Sequence, residues 1–300
     1  MIETFELTKK FGGLTAVDEV TLSVKEGEIL VVVGPNGAGK STLVKMLCTI
    51  LSPTSGSARI MGFDIVNESQ KVRSLVGYLP EEPRVYDYMT GEEFLSFFAD
   101  IYNSGRENIP ELLEFVGLKE HAKRKIGEYS KGMKHRISLA RALIHNPPVL
   151  VLDEPTMGLD PASSRDVRER IKEMRKEGKT ILVCTHYMDE ADFLSDKLAV
   201  INNGRIAAVG KPEELKAKVA KQRYLGVVIK EDSLVRKFAE EVGGEIDGRN
   251  IIIKTKNLSR TMRKVNSVAR KLNAKVLSVK TLDPSLEDVF VAVTRGGRWV

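Results

Sequence analysis

Four short stretches carry residues whose types and spacing suit phosphate chemistry. The first is "GPNGAGKST", residues 34 to 42, which fits G-x-x-x-x-G-K-[ST] with an apolar strand before it and a helix after it. Gly34, Gly37 and Gly39 let the backbone turn its N–H groups inward around an anion, with Asn36 and Ala38 completing the loop. Lys40 is placed to reach β- and γ-phosphates, Ser41 to offer its hydroxyl to Mg²⁺, and Thr42 to add a donor near the helix start. The second stretch is "VLVLDEP", four apolar residues ending in Asp153 and Glu154. At the carboxyl edge of a parallel sheet, where open α/β sheets bind ligands, Asp153 can hold the Mg²⁺ water shell. Glu154, one residue on, points elsewhere and can polarise an attacking water. The third is "KTILVCTH", an apolar strand that ends in His186, a side chain that titrates near neutrality.

The fourth stretch is "YSKGMKHRISLARAL", residues 129 to 143. Ser130 and Gly132 stand ahead of Lys134, Arg136 and Arg141, with no carboxylate among them. A helix N-terminus already carries free N–H groups and partial positive charge, so added cations there cost stability unless an anion arrives. The stretch reads either as a phosphate-receiving helix start or as a Ser-capped surface helix.

Those residues need elements to hold them. "GEILVVVG" is a buried parallel-type strand and "KSTLVKMLCTIL" the helix after it. Residues 1–87 read as short strands, and residues 88–146 as helices. "PPVLVLDEP", "SSRDVRERIKEMRKEG" and "KTILVCTH" return to strand, helix and strand. The alternation predicts an α/β fold with a largely parallel sheet and an inserted helical subdomain. Beyond "GRIAAVGKPEELKAKVAKQRY" the order becomes β-α-β-β-α-β plus a last helix, a ferredoxin-like α+β plan. In its second helix, 258–272, Met262, Val265, Ala269 and Leu272 follow helical spacing and are expected inside. Arg260, Arg263, Lys264, Arg270 and Lys271 crowd the rest.

The chain has 300 residues, 42% of them hydrophobic, enough for one large domain or two. No apolar run approaches the roughly 18 residues of a membrane span, and the start lacks an apolar signal core. A soluble protein of the cytosolic side is expected, with Cys48 and Cys184 as reduced, buried thiols. Residues 211–300 hold 20 Lys and Arg against 11 Asp and Glu, while residues 1–210 hold 27 against 30. The basicity of the C-terminal part asks for an acidic partner there.

The order "GPNGAGKST", "YLPEEP", "YSKGM", "VLVLDEP", "MGLDP", "CTHYMDEAD" resembles the nucleotide-binding domain of ABC transporters over residues 2 to about 215. The resemblance implies a P-loop ATPase domain at 1–215, with the helical subdomain at about 88–146 and an accessory or regulatory domain at 221–300. It implies ATP and Mg²⁺ as ligands and a head-to-tail homodimer that sandwiches ATP between one chain's phosphate loop and the other's signature. Ser130 and Gly132 would then contact the γ-phosphate of nucleotide held by the partner, which supplies the missing anion. By the same resemblance Phe11 stacks on adenine, His186 senses the γ-phosphate, Asp160 bridges the dimer near the hydrolytic water, and Glu81 takes the place of the family's metal-binding glutamine.

The signature departs from the family pattern at Tyr129, Lys131 and Met133. Lys131 is expected to offset the extra charge of Glu81 across the interface. The ending "SLEDVFVAVT" resembles the ABC-2 type exporters of the drug-resistance and sodium-export subgroup, in which ATPase and permease are separate chains. The implied protein is a transport ATPase, cytoplasmic and peripheral on the inner face of the cell membrane. Its permease would be received by "RVYDYMTGEEFLSFF" through Tyr86, Tyr88 and Met89. A soluble ABC ATPase acting on nucleic acid or ribosomes is the alternative. It is disfavoured by the single phosphate loop and by the short span from Lys40 to Asp153, and no nucleic-acid partner is expected. For the basic tail two acidic targets are weighed: the partner's ATPase domain, reached through an apolar face of Leu286, Val289 and Phe290, and an anionic membrane surface.

Overall fold

The computed structural model describes residues 1–219, 223–255, 257–282 and 284–294. It divides into two units, Met1–Pro212 and a second beginning at Glu213.

A six-stranded sheet centres the first unit, in the order Arg205–Gly210, Lys197–Asn202, Ile29–Val33, Thr180–Thr185, Val149–Asp153, Val76–Leu79. All pairings are parallel except that of the edge strand Arg205–Gly210 with its neighbour. Ile29–Val33, Val149–Asp153 and Thr180–Thr185 are buried at every position, so both faces demand apolar residues and no alternation survives in the sequence. The register sets Val33 beside Thr185 and Asp153 beside Cys184. Three strands thus end at one level, and the segments that leave them share one edge of the sheet.

A second, antiparallel sheet runs in the order Leu14–Val24, Ile2–Phe11, Ser55–Ile60, Phe63–Asp64. Its first two strands are 10 and 11 residues long, not short as expected. Register shifts between Thr4 and Leu7 and between Leu7 and Lys9 break the alternation by which a long strand is recognised. The insertion consists of helices Gly91–Tyr102, Ile109–Phe115 and Lys131–Leu143 with two 3₁₀ turns. Thr90 opens it with a reciprocal capping box to Glu93.

In the second unit the antiparallel strands lie in the order Glu245–Asp247, Asn250–Thr255, Arg223–Ile229, Val276–Leu282. Helices Val235–Val242 and Leu258–Leu272 share a core with them that includes Phe238, Val265 and Val268. Two expectations are corrected here. Met262 is exposed, and Val268 is buried in its stead, because the packing face of the helix centres on Val265 and Val268, with Ala269 and Leu272 at its margin. Leu286 and Val289 are 2% and 0% exposed, already covered within the chain, so of the three residues expected to meet a partner only the half-buried Phe290 retains accessible surface. Among the described residues no helix is long and apolar enough to cross a membrane.

Candidate functional site

The phosphate loop links the buried strand Ile29–Val33 to the helix Lys40–Leu47. Gly39 caps that helix at φ 106, and a side chain there would collide with the Ala16 carbonyl. Only glycine combines that backbone with that approach. Lys40, 7% exposed, folds back and donates to the carbonyl oxygens of Gly34 at 2.7 Å and Pro35 at 3.3 Å. Its Nζ stands 4.0 Å from Glu154 Oε1. The cation is thus parked on carbonyl acceptors at the floor of the loop, within reach of an arriving phosphate.

Asp153 and Glu154 leave the neighbouring strand end in different directions. Glu154 adopts φ 52, the left-handed region that a non-glycine residue enters at a cost. That turn is pinned by its own N–H, which donates to the Cys184 carbonyl at 2.8 Å. Glu154 is 4% exposed, with one hydrogen-bond partner on each carboxylate oxygen. Thr185 Oγ1 donates to Oε2 at 3.2 Å, and His186 Nδ1 lies 2.9 Å from Oε1. His186 in turn packs against the Tyr187 ring, with centroids 4.0 Å apart.

Asp153 is 1% exposed, and its Oδ1 has no hydrogen-bond partner. Burial pushes its carboxyl up to about 6, with Glu81 and Glu154 adding to the rise and the Ser41 hydroxyl and Lys40 opposing it. An orphaned buried oxygen beside a hydroxyl and a second carboxylate suits a hard cation. Among the described residues no group of three His, Cys, Asp or Glu could hold a metal alone. A cation held by Ser41, Asp153 and Glu81 would therefore complete its shell with phosphate oxygens and water, as Mg²⁺ habitually does.

These groups converge on a cleft of about 400 Å³ lined by Asn36, Gly37, Ala38, Gly39, Lys40, Ser41, Thr42, Glu81, Glu154 and Phe11. A larger cleft of about 730 Å³ shares Phe11, Ser41 and Glu81 with it and adds Asp153, Arg84 and Arg141. The Phe11 ring is 46% exposed, with Lys9 Nζ 5.3 Å from its centroid. It is a flat apolar platform with a cation beside it, able to take a planar base.

Ser130, Gly132 and Asp160 line neither cleft. Ser130 caps helix Lys131–Leu143 by accepting from Met133 N at 3.2 Å. Asp160 caps helix Pro161–Lys176 and accepts from the N–H groups of Ala162 and Ser163 and from the Ser163 hydroxyl. The Ser163 hydroxyl holds the Asp160 carboxyl below its usual range.

The three basic side chains read as short of counter-charge are in fact partnered within the chain. Lys134 pairs with Asp87 at 2.8 Å, Arg136 donates to the Val116 carbonyl, and Arg141 donates to the Tyr78 carbonyl and lies over Phe98. Their partners are 20 to 63 positions away, beyond any local reading. Tyr129 also has a structural reason. It is buried, and its hydroxyl donates to the His121 carbonyl at 2.6 Å.

Two residues of this region were not singled out by sequence. Thr185 holds Glu154, and Glu190 is a buried carboxyl 2% exposed. An acidic residue on a helix just after a strand end was the available signal, but acidic residues in a first helical turn are ordinary.

A family model described as ABC transporter matches residues 17–157. The chain is 43% identical over 224 residues to the Probable multidrug ABC transporter ATP-binding protein YbhF of Escherichia coli, covering 73% of this chain and 39% of that protein. It thus spans well under half the length of that relative. It is 33% identical over 303 residues to the Bacitracin transport ATP-binding protein BcrA of Bacillus licheniformis, covering 99% and 98% of the two chains. Among solved structures, an ATP binding subunit of an ABC transporter aligns with TM-score 0.69 and 29% identity over 73% of this chain and 93% of that one. The dimeric cassette MJ0796 aligns with TM-score 0.66 and 28% identity over 70% of this chain and 98% of that one.

Proposed function

Because the chain belongs to the family of ABC transporter ATP-binding proteins, we propose that it binds and hydrolyses ATP to power a separate membrane permease, in export. The convergence of Lys40, Glu154 and His186 at one sheet edge carries this reading. A γ-phosphate entering the loop would draw Lys40 from its carbonyls, since three oxygens sharing about two negative charges outbid two neutral acceptors. Glu154, whose oxygens are held by Thr185 and His186, would orient a water for attack and take its proton. Loop N–H groups and Lys40 would spread the charge that develops on the leaving phosphate. Mg²⁺, held by Ser41, Asp153 and Glu81, would neutralise phosphate charge. Phe11 would take the adenine face.

A head-to-tail homodimer would give a use to Ser130 and Gly132, which lie away from the chain's own clefts. Their partner would be the nucleotide of a second copy, with Asp160 near the same interface. Relatives are named for bacitracin transport and for Nod factor export, and cargo choice would rest with the permease. For that permease, Tyr86 and Tyr88 are exposed by 42% and 70% with rings 5.9 Å apart, and they present an aromatic contact beside the helical subdomain. In the C-terminal unit an anionic membrane surface would be met chiefly by Arg260 and Arg270. Lys264 is spent on the Val242 carbonyl and Lys271 on Glu241.

Steady-state hydrolysis of Mg·ATP by the purified chain, with Glu154→Gln as control, tests the central reading. The expected result is turnover in the parent and its loss in the variant with nucleotide still bound. Equal turnover in both would remove Glu154 from the mechanism.

A further inference from the structure

The hairpin that carries Phe11 brings a second apolar side chain to the same cleft. The strands Ile2–Phe11 and Leu14–Val24 are joined by Gly12 and Gly13 alone. Gly12 adopts φ 56, and a side chain at either glycine would meet nothing within 4 Å, so the turn stands free, a two-residue connection of the kind glycine permits. Phe11 and Leu14 are the last cross-strand pair before it. Residues directly opposite in an antiparallel pair place their side chains on one face of the ribbon, within reach of each other. Both line the cleft of about 400 Å³, Phe11 at 46% exposure and Leu14 at 66%. A leucine so exposed adds little to the core, and a polar residue would suit a hairpin end better.

The backbone fixes this hairpin against the phosphate loop. A side chain at Gly39 or at Gly204 would collide with the Ala16 carbonyl, and the Asp18 N–H donates to the Gly204 carbonyl at 2.9 Å. Ala16 thus marks the level of the loop. Leu14 lies two residues nearer the turn, ~7 Å along an antiparallel strand, which leaves room for a ribose between the loop and the Phe11–Leu14 pair. The polar side chains that line the cleft, Asn36, Lys40, Ser41, Thr42, Glu81 and Glu154, belong to the phosphate loop and to the metal and water positions. At the hairpin the described lining is Phe11, Leu14 and Ala16. Lys9 Nζ, 5.3 Å from the Phe11 ring centre, donates to the Ser52 carbonyl at 2.6 Å. A base arriving there meets apolar side chains, and its edge meets no donor or acceptor side chain of that lining.

We propose that Leu14 is the second wall of the base site: it packs on a base laid against Phe11, and the two hold that base by apolar contact without reading its edge. The substrate class is then the purine nucleoside triphosphates, with the triphosphate and not the base deciding entry. The inference rests on the nucleotide reading above, with Phe11 as the platform.

The test uses the full chain and the variants Leu14→Ala and Leu14→Met, with ATP, GTP and inorganic tripolyphosphate as probes in the presence of Mg²⁺. Dissociation constants, KM, kcat and the thermal midpoint are read. Leu14→Ala is expected to weaken ATP and GTP by the same factor, roughly 3–10-fold, as loss of a partly covered leucine does. Its kcat and thermal midpoint should not move, and its affinity for tripolyphosphate should equal the parent's. Leu14→Met, which keeps the apolar reach, should restore both nucleotides. In the parent, kcat/KM for GTP should lie within ~10-fold of that for ATP, whereas a site that hydrogen-bonds its substrate's edge rejects the wrong one by ~10⁴-fold or more. Unchanged nucleotide affinity in Leu14→Ala would overturn the proposal. So would an equal loss of tripolyphosphate affinity, which would place the defect in the phosphate loop, and so would rejection of GTP on the scale of edge readout. If the parent bound ATP without hydrolysing it, the proposed function would fall, and the ratios of dissociation constants would still decide the role of Leu14.

Discussion

Asp153 and Glu154, at the carboxyl edge of the central sheet, are 1% and 4% exposed. Asp153 leaves an oxygen unpaired, and Glu154 holds a left-handed backbone. At the start of helix Lys131–Leu143, Ser130 is exposed, sits at φ −63 and makes an ordinary cap. Each of these two regions was read as a phosphate contact, yet they handle polar groups in opposite ways. The sheet edge stores buried charge and strain that packing alone would not retain. The helix start stores nothing: of its nearby cations Lys134 is paired with Asp87, and Arg136 and Arg141 are hydrogen-bonded to carbonyl groups. One half of a site is therefore prebuilt within the chain. On the proposed function the other half is a surface that would become a site only when a partner's anion is brought to it.

The comparison breaks most sharply at Glu154. Glu154→Gln should lower turnover by ~10²–10⁴-fold, the typical span of general-base catalysis, with nucleotide affinity retained in equilibrium binding. A loss of affinity instead would make Glu154 a binding group.

Gly132→Asp probes the other half by placing a negative charge where the partner's phosphate would come. It should abolish turnover in the homodimer and leave the thermal midpoint nearly unchanged, since a Cβ there meets the flexible end of Leu159 at 3.2 Å and Ser130 Oγ at 4.0 Å. Mixing it with Glu154→Gln sharpens the point. A head-to-tail heterodimer of the two carries one intact site, so two inactive preparations should together regain up to about a quarter of the parent rate. No recovery on mixing would mean that the helix start does not serve a second copy.

Changing Tyr86 and Tyr88 to Ala should weaken capture of the permease several-fold, as loss of aromatic anchors does, and spare ATP binding. Unchanged capture would move the docking surface elsewhere.

The smallest effect expected lies at His145, stacked on Tyr102 with centroids 4.0 Å apart. Burial pushes its imidazole down from 6.5 to about 4, so the stability it contributes is present above pH 6.5 and is lost as pH falls toward 4. His145→Phe should flatten the fall in unfolding free energy across that window in denaturant titrations. An unchanged slope would show that other groups carry the acid sensitivity.

Much of the architecture was legible because its signals are local. Continuous apolar runs announced Ile29–Val33, Val149–Asp153 and Thr180–Thr185, since strands covered on both faces cannot alternate. The phosphate loop was legible from glycine and lysine spacing alone. The long strand Ile2–Phe11 was hidden by its bulges. In helix Leu258–Leu272 the extent was readable, but the packing face was misjudged by one position, because a helix of mixed periodicity is oriented by the sheet beneath it.

The sequence by itself determined which chemistry is available: a loop that can cradle phosphate, two carboxylates after a buried strand, and a histidine after another. Local stereochemistry and composition suffice for that. Only the tertiary structure decided that Glu154 turns left-handed onto the Cys184 carbonyl, that Lys134, Arg136 and Arg141 are hydrogen-bonded within the chain, and that Glu190 is buried. Burial, pairing and backbone strain depend on partners up to dozens of positions away, brought together by strand register, and no window along the chain contains them.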